Sequence, residues 1–389
     1  MKRMSLIILY FCGMKKSITL PHCKSLLIRQ LVLHFVETGE VMEVSPGECS
    51  DVQVTHRALM TVLASEGGTV NVADCGAAYR FMMALLAITP GQWLLTGTPR
   101  LLDRPIDELV EVLLDIGANI RRESNGWLIE GKPLRAETLT INCSRSSQFA
   151  SALLLISSKL GLKTLSIIPA DAGSLPYVRM TLACLHHEVK VPAIQNIPAD
   201  LGLPGDWSAA IFWYAMALLH PDNEYELQNL SLNSIQGDAV VADWFARMGV
   251  KSIPTVRGIR LSADSVQSRQ PMIFDMADHP DLVPVMAALA CLLPADFTFL
   301  HIQNLRYKES DRVQHLADQL APLVEVVDLK EDIFRIKGKT KSTWPSPPYR
   351  FHTMGDHRLA MAFLLFGNDA LLDDVECLRK SYPGLIAHL

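Results

Sequence analysis

The stretch Asn304-Leu305-Arg306-Tyr307-Lys308-Glu309-Ser310-Asp311-Arg312 follows an apolar run, Phe297 to Ile302, and precedes an apolar periodicity at Val313, Leu316 and Leu320. The run reads as a strand and the periodicity as a helix, so the chain here turns from strand to helix. Ser310 or Asp311 suits the N-cap. Between the two elements lie an amide, three cations and two acids in nine residues, too much opposed charge for an ordinary turn. A helix N-terminus favours anions, and Lys308 and Arg312 beside it predict a phosphate or carboxylate site. Glu309 is then an acid held among cations, in a place suited to moving a proton.

Other segments repeat the alternation: Trp93 to Thr96 then Ile106 to Ile116, Thr138 to Ile141 then Phe149 to Leu160, Thr164 to Ile168 then Tyr177 to Leu185. The second half follows with Tyr225 to Leu230 then Ala239 to Met248. Such a rhythm predicts an α/β protein. With 389 residues the chain is long enough for two domains. The Gly202, Pro204, Gly205, Asp206 punctuation marks the boundary.

Composition narrows the class. The chain is 49% hydrophobic and 20% charged with a formal net charge of -5, which suits large buried cores and argues against disorder. No basic run supplies a surface for nucleic acid. Eight cysteines are scattered without a Cys-x-x-Cys pair, as expected of reduced thiols in a cytoplasmic protein. Met1, Lys2 and Arg3 with the run Leu6 to Cys12 imitate a secretion signal, but the run is short and lacks a small-residue cleavage site. A first strand, or an extension ahead of a start at Met14, is expected instead. The tract Leu282 to Ala295 is interrupted by prolines and too short to span a bilayer, so it reads as a buried helix and no membrane partner is expected. Dinucleotide, P-loop and nucleophile-elbow glycine motifs are absent. Asp275, Asp278, His279 and Asp281 lack a partner cluster with ligand spacing, so no metal is expected there.

Four further segments have the chemistry of anion sites. Lys24, Ser25 and Arg29 open one helix, and Gly76 in Asp74-Cys75-Gly76-Ala77-Ala78-Tyr79-Arg80 permits close backbone approach. Arg104 precedes Pro105, which suits a first helical position. Ser146, Ser147 and Gln148 begin an apolar helix with side chains that serve as caps or phosphate donors. Taken singly, each reads first as a structural cap or turn.

Together they resemble the 5-enolpyruvylshikimate-3-phosphate (EPSP) synthase family, in order through nearly the whole chain. The resemblance is carried by Lys24-Ser25 with Arg29, Leu95 to Pro105, Ser146 to Phe149, Ser174 with Pro176-Tyr177, Gly205-Asp206, Gln236-Gly237-Asp238, Pro280-Asp281, Asn304 to Arg312, Asp356-His357-Arg358 and Lys380 to Pro383. Lys-Glu-Ser-Asp-Arg and Asp-His-Arg are the most specific of these. The resemblance implies an α/β fold of two similar domains, each of three repeated β/α units with helices buried inside, an inside-out barrel. Residues 20–205 would form one domain, and 1–19 with 206–389 the other. It implies a cytoplasmic monomer that moves the enolpyruvyl group of phosphoenolpyruvate to the 5-hydroxyl of shikimate 3-phosphate, releasing phosphate, without a cofactor.

By the same resemblance, Lys24, Gly76, Arg104, Gln148, Arg312, Arg358 and Lys380 would bind phosphoenolpyruvate. Lys24, Ser25, Arg29, Ser146, Ser147, Gln148, Ser174, Tyr177, Asp281, Asn304 and Lys308 would bind shikimate 3-phosphate. Asp281 and Glu309 would act as base and acid, assisted by Lys24. The match has departures. His22 and Cys23 stand where the family has Gly-Ser before the lysine, and Leu27 and Ile28 precede the arginine. Asp74 and Ala77 alter the Asn-Ala-Gly-Thr segment, Phe81 replaces a proline, and the stretch from Arg29 to Asp74 looks shortened. These changes bear on phosphoenolpyruvate binding and on inhibition by glyphosate. A UDP-N-acetylglucosamine enolpyruvyl transferase would be expected to lack the Ser-Ser-Gln and Asp-His-Arg segments. A non-catalytic relative would have no use for paired acids among cations.

Overall fold

The computed structural model describes residues 13–195, 197, 201, 204–264, 270–293 and 295–389. The run Leu6 to Cys12 lies outside the described residues. The chain divides into two compact units, Cys23–Leu201 and Met1–His22 with Gly202–Leu389.

In chain order, β1 (Lys15–Thr19) precedes α1 (Lys24–Thr38), α2 (Ser50–Ala64), β2 (Gly67–Asn71), α3 (Gly76–Ile88) and β3 (Gly91–Thr96). Next come α4 (Pro99–Leu102), α5 (Asp107–Asp115), β4 (Asn119–Glu123), β5 (Gly126–Gly131) and β6 (Thr138–Asn142). The unit that contains Lys24 closes with α6 (Gln148–Leu155), α7 (Ser157–Leu160), β7 (Thr164–Ile168) and α8 (Leu175–Cys184). The other unit continues through α9 (Trp207–Leu219), β8 (Glu224–Gln228), α10 (Val241–Met248), β9 (Val250–Pro254), β10 (Gly258–Ala263) and β11 (Met272–Asp275). It ends with α11 (Val283–Leu292), β12 (Asp296–Leu300), α12 (Arg312–Leu320), β13 (Val324–Leu329), β14 (Ile333–Gly338), β15 (Tyr349–Phe351), α13 (His357–Leu364) and β16 (Ala370–Leu372).

One sheet pattern recurs. β2-β3-β5-β4, β1-β8-β10-β9 and β11-β12-β14-β13 each join a parallel pair to an antiparallel hairpin. Parallel neighbours need a crossover, which α3 supplies between β2 and β3 and α11 between β11 and β12. β6-β7 and β15-β16 are parallel pairs alone, crossed by α6 with α7 and by α13. β1 belongs to the second unit because it pairs with β8, Lys15 opposite Glu224.

The crossover helices are apolar on nearly every side. α9 is buried from Trp207 to Leu218, α3 at eleven of its thirteen residues, and α11 from Val283 to Cys291. A helix without a polar face must sit inside. Within the units α3 packs on α6 and α1, and α11 on α13 and α9. Each buried Leu, Ile or Phe there contributes about 1.5–3 kcal/mol. Among the described residues no helix is long and apolar enough to cross a membrane.

Three expectations change. α1 leads to α2 through residues 39–49 with no strand between them, so among the described residues one β/α unit of the first domain is a helix pair. Gly39 in the left-handed region (φ 76°) stops α1, and Pro46-Gly47 turns the short connection. Pro105 is not a first helical residue: α4 intervenes, and Ile106 caps α5. The helix expected from Phe149 to Leu160 breaks at Ile156, where α6 gives way to α7.

Candidate active site

In the second unit the charged stretch folds as its caps dictate. Asp311 caps α12 by accepting a hydrogen bond from the Gln314 amide at 3.1 Å, and Arg312 follows as the first helical residue with 1% exposure. Its guanidinium ties three carboxylates together. Nε donates to Asp356 at 2.8 Å, Nη1 to Asp281 at 2.8 Å and Nη2 to Glu309 at 2.9 Å. Burial alone would weaken proton binding at Arg312, but Asp356, Glu309 and Asp281 outweigh it and hold the group firmly charged.

Asp356 caps α13 by accepting from the Arg358 amide at 2.9 Å and also accepts from the Ser310 hydroxyl at 3.1 Å. Arg358 donates to Asp281 at 3.2 Å and to the Ser208 carbonyl in α9 at 2.8 Å. Burial disfavours its charge too, yet Asp281 and Asp206 raise its pKa above the ordinary arginine value. Lys308 lies 3.8 Å from Asp281. The starts of α9, α11, α12 and α13 are thereby drawn into one cluster. Its three cations, Lys308, Arg312 and Arg358, face three carboxylates, Asp281, Glu309 and Asp356. Ion pairs at this depth cost desolvation unless every partner is satisfied, so the cluster is poor value as mere fold stabilisation.

Asn304 lies on the 3-10 turn Gln303–Tyr307 just before Lys308. Lys380 is 4% exposed on the turn Glu376–Lys380, which packs against α13. Asp275, six residues before Asp281 in sequence, pairs with His301 at 2.7 Å. Among the described residues no group of three acids, histidines or cysteines could hold a metal.

The other unit gathers the remaining residues. Lys24, at the start of α1, pairs with Asp51 in the first turn of α2 at 3.0 Å. Arg29, 2% exposed, donates to the Ser25 carbonyl at 2.7 Å, to Thr181 at 2.7 Å and to Ser151 at 3.1 Å. It also lies over the Tyr177 ring, 5.8 Å from its centre. Burial lowers its pKa below the ordinary arginine value. Each of its three nitrogens donates one N–H to a protein acceptor, which fixes the plane of the five-donor guanidinium beside Ser25 and Tyr177.

Gly76 opens α3, and a side chain there would meet Arg104: an added Cβ would stand 2.5 Å from Nη1. Arg80 donates to the Gly76 carbonyl at 3.0 Å and to the Pro105 carbonyl, linking the α3 entrance to the Arg104 segment. Ser147 stands at the N-cap position of α6 without a side-chain cap bond, and Ser146 accepts from the Gln148 amide at 3.3 Å. Ser174 stands at the N-cap position of α8 in the left-handed region at φ 65°, without a side-chain cap bond, two residues before Pro176-Tyr177. Asp74 is exposed in the turn ahead of α3. Asp51 is the functional candidate absent from the motifs. An acid in the first turn of a helix was its only local signal.

A family model described as EPSP synthase (3-phosphoshikimate 1-carboxyvinyltransferase) matches residues 41–389. A 3-phosphoshikimate 1-carboxyvinyltransferase of Bacteroides fragilis is 33% identical over 390 residues, covering 95% of this chain and 93% of the relative. One from Methanospirillum hungatei is 28% identical, covering 95% and 94%. Among solved structures, EPSP synthase from Acinetobacter baumannii matches with a TM-score of 0.67 at 18% identity over 97% of this chain and 95% of that one. The enolpyruvyl transferase NikO from Streptomyces tendae matches at 0.68 and 15% identity, over 97% and 94%. These two likenesses concern the fold.

Proposed function

The chain belongs to the EPSP synthase (3-phosphoshikimate 1-carboxyvinyltransferase) family, and from that premise we propose that it transfers the enolpyruvyl group of phosphoenolpyruvate to the 5-hydroxyl of shikimate 3-phosphate. The observation that carries this reading is the pair of acids, Asp281 and Glu309, each held by Arg312 beside the entrances of buried helices. Binding alone has no use for such acids among cations.

Lys24, Arg104, Arg312, Arg358 and Lys380 bind phosphoenolpyruvate, aided by Gln148 and the backbone at Gly76. Arginine forks match phosphate and carboxylate oxygens, and helix N-termini add partial positive charge. Ser25, Arg29, Ser146, Ser147, Ser174, Tyr177, Asn304 and Lys308 hold shikimate 3-phosphate. Lys24, Gln148 and Asp281 also touch this second substrate.

Asp281 removes the proton of the 5-hydroxyl as its oxygen bonds to C2 of phosphoenolpyruvate, while Glu309 delivers a proton to the C3 methylene. The product of that step is a tetrahedral phosphate ketal. Glu309 then takes a proton back from the new methyl group, the double bond re-forms, and the C2–O bond to phosphate breaks with a proton returned from Asp281. Each general acid or base supplies roughly a hundredfold or more, and the fixed cations supply positioning and charge stabilisation. The chain acts on small molecules in the cytoplasm as a monomer.

The test is phosphate release by the purified protein. Release that requires both substrates supports the reading, and no release with both overturns it. Replacing shikimate 3-phosphate by UDP-N-acetylglucosamine should give none.

A further inference from the structure

We propose that Asp51 is a positioning residue for the reaction, holding the Lys24 ammonium aimed at the bound anion; this rests on the role given to Lys24 above. The two side chains meet at 3.0 Å, with 14% of Lys24 and 4% of Asp51 exposed. A lysine on a flexible four-carbon stem loses much rotamer freedom when fixed. An ammonium removed from water without a partner is also strongly penalised. The Asp51 carboxylate meets both demands before any ligand arrives.

Its own place is prepared in turn. Asp51 lies in the first turn of α2, two residues after the N-cap position at Cys49, where a helix end favours negative charge. The Thr55 hydroxyl donates to the Asp51 carbonyl at 2.8 Å and keeps that turn closed. α2 packs on α1 more extensively than on α3, so the carboxylate arrives at Lys24 on a rigid element. The loop between the two helices, residues 39–49, has no strand of its own. The ion pair is therefore a direct link between the start of α2 and the start of α1.

The test compares wild type, Asp51→Asn, Lys24→Gln and the double variant by steady-state kinetics with each substrate varied in turn. Asp51→Asn should raise KM at least fivefold for whichever substrate Lys24→Gln affects most, and leave the other within twofold. In the Lys24→Gln background it should change kinetics by less than twofold, because the residue it serves is gone. Equal effects in both backgrounds, or unaltered kinetics in a folded Asp51→Asn protein, overturn the proposal. If Asp51→Asn does not fold, Asp51→Glu replaces it: the charge stays but the ammonium is displaced, so the same KM should rise, and an unchanged KM overturns the proposal. Absence of turnover in wild type would instead defeat the functional reading, which keeps the two failures distinct.

Discussion

Replacing Asp356 by Asn should destabilise the second unit by about 3 kcal/mol. Asp356 is fully buried and receives Arg312 Nε at 2.8 Å, Arg312 Nη2 at 3.3 Å, the Ser310 hydroxyl and the Arg358 amide. Asparagine keeps one side-chain oxygen for the helix cap, but its NH2 takes the place of the oxygen that accepts from Arg312 Nε and Ser310, so the change removes the charge and one acceptor together. Breaking a buried pair by neutralising one partner costs about 3–5 kcal/mol. Asp281 and Glu309 still compensate Arg312, which places the expected loss at the lower end. Against a typical net stability of about 5–15 kcal/mol that is a large fraction.

Urea unfolding followed by tryptophan fluorescence reads the effect. Trp207, Trp213, Trp244 and Trp344 lie in the second unit and only Trp93 and Trp127 in the first, so the signal is weighted toward the right half of the molecule. With a slope of roughly 2–3 kcal/mol/M, the midpoint should fall by about 1–1.5 M. A fall of less than about 0.3 M at unchanged slope would refute the reasoning, because it would mean that the carboxylate stabilises Arg312 no more than solvent does.

Three other perturbations have definite outcomes. Glu309→Gln keeps an oxygen for Arg312 and should fold normally while kcat drops by roughly a hundredfold or more; wild-type kcat would remove its role as acid. Gly76→Ala should still fold, with thermal stability equal or slightly lower, since the first residue of α3 has no left-handed φ and the added Cβ meets only the end of the flexible Arg104 side chain. Displacing the Arg104 guanidinium should nevertheless raise KM for phosphoenolpyruvate several-fold, and an unchanged KM would show that Arg104 is not where the anion binds. The Asp275–His301 pair should make a small, pH-bounded contribution to stability. Asp275 holds His301 above the usual histidine value, so that share is complete below pH 6.5 and fades as pH rises through the raised pKa. For Asp275, burial opposes ionisation but the His301 hydrogen bond lowers its pKa overall, so that share is lost as pH falls below the ordinary 3.8. The melting-temperature gap between wild type and Asp275→Asn should be widest between those limits, and a pH-independent gap would exclude the pairing.

What could be read along the chain was whatever has a local cause. The Asp311 cap, the strand before Asn304 and the clustering of Lys308, Glu309 and Arg312 follow from neighbours in sequence, and the structure places them so. The three hairpins are weakly marked in sequence because their strands are short and half polar, although Asn125-Gly126, where the turn after β4 enters β5, is a hairpin signal in its own right. Long-range pairings left no trace. Arg29 draws its acceptors from Thr181 and Ser151, 152 and 122 residues away, and Asp51 matters only because α2 packs on α1. The order of α/β elements is thus legible from period and punctuation, whereas the partners of each charge depend on which helices are brought side by side.

Running the reaction in deuterium oxide and examining the enolpyruvyl methylene by NMR tests the central claim most directly. If Glu309 protonates C3 and later removes a proton from the methyl group, deuterium appears at that carbon in wild type. In Glu309→Gln its rate of appearance should fall with turnover. Product formed by wild type at full rate with only protium at C3 would contradict the account.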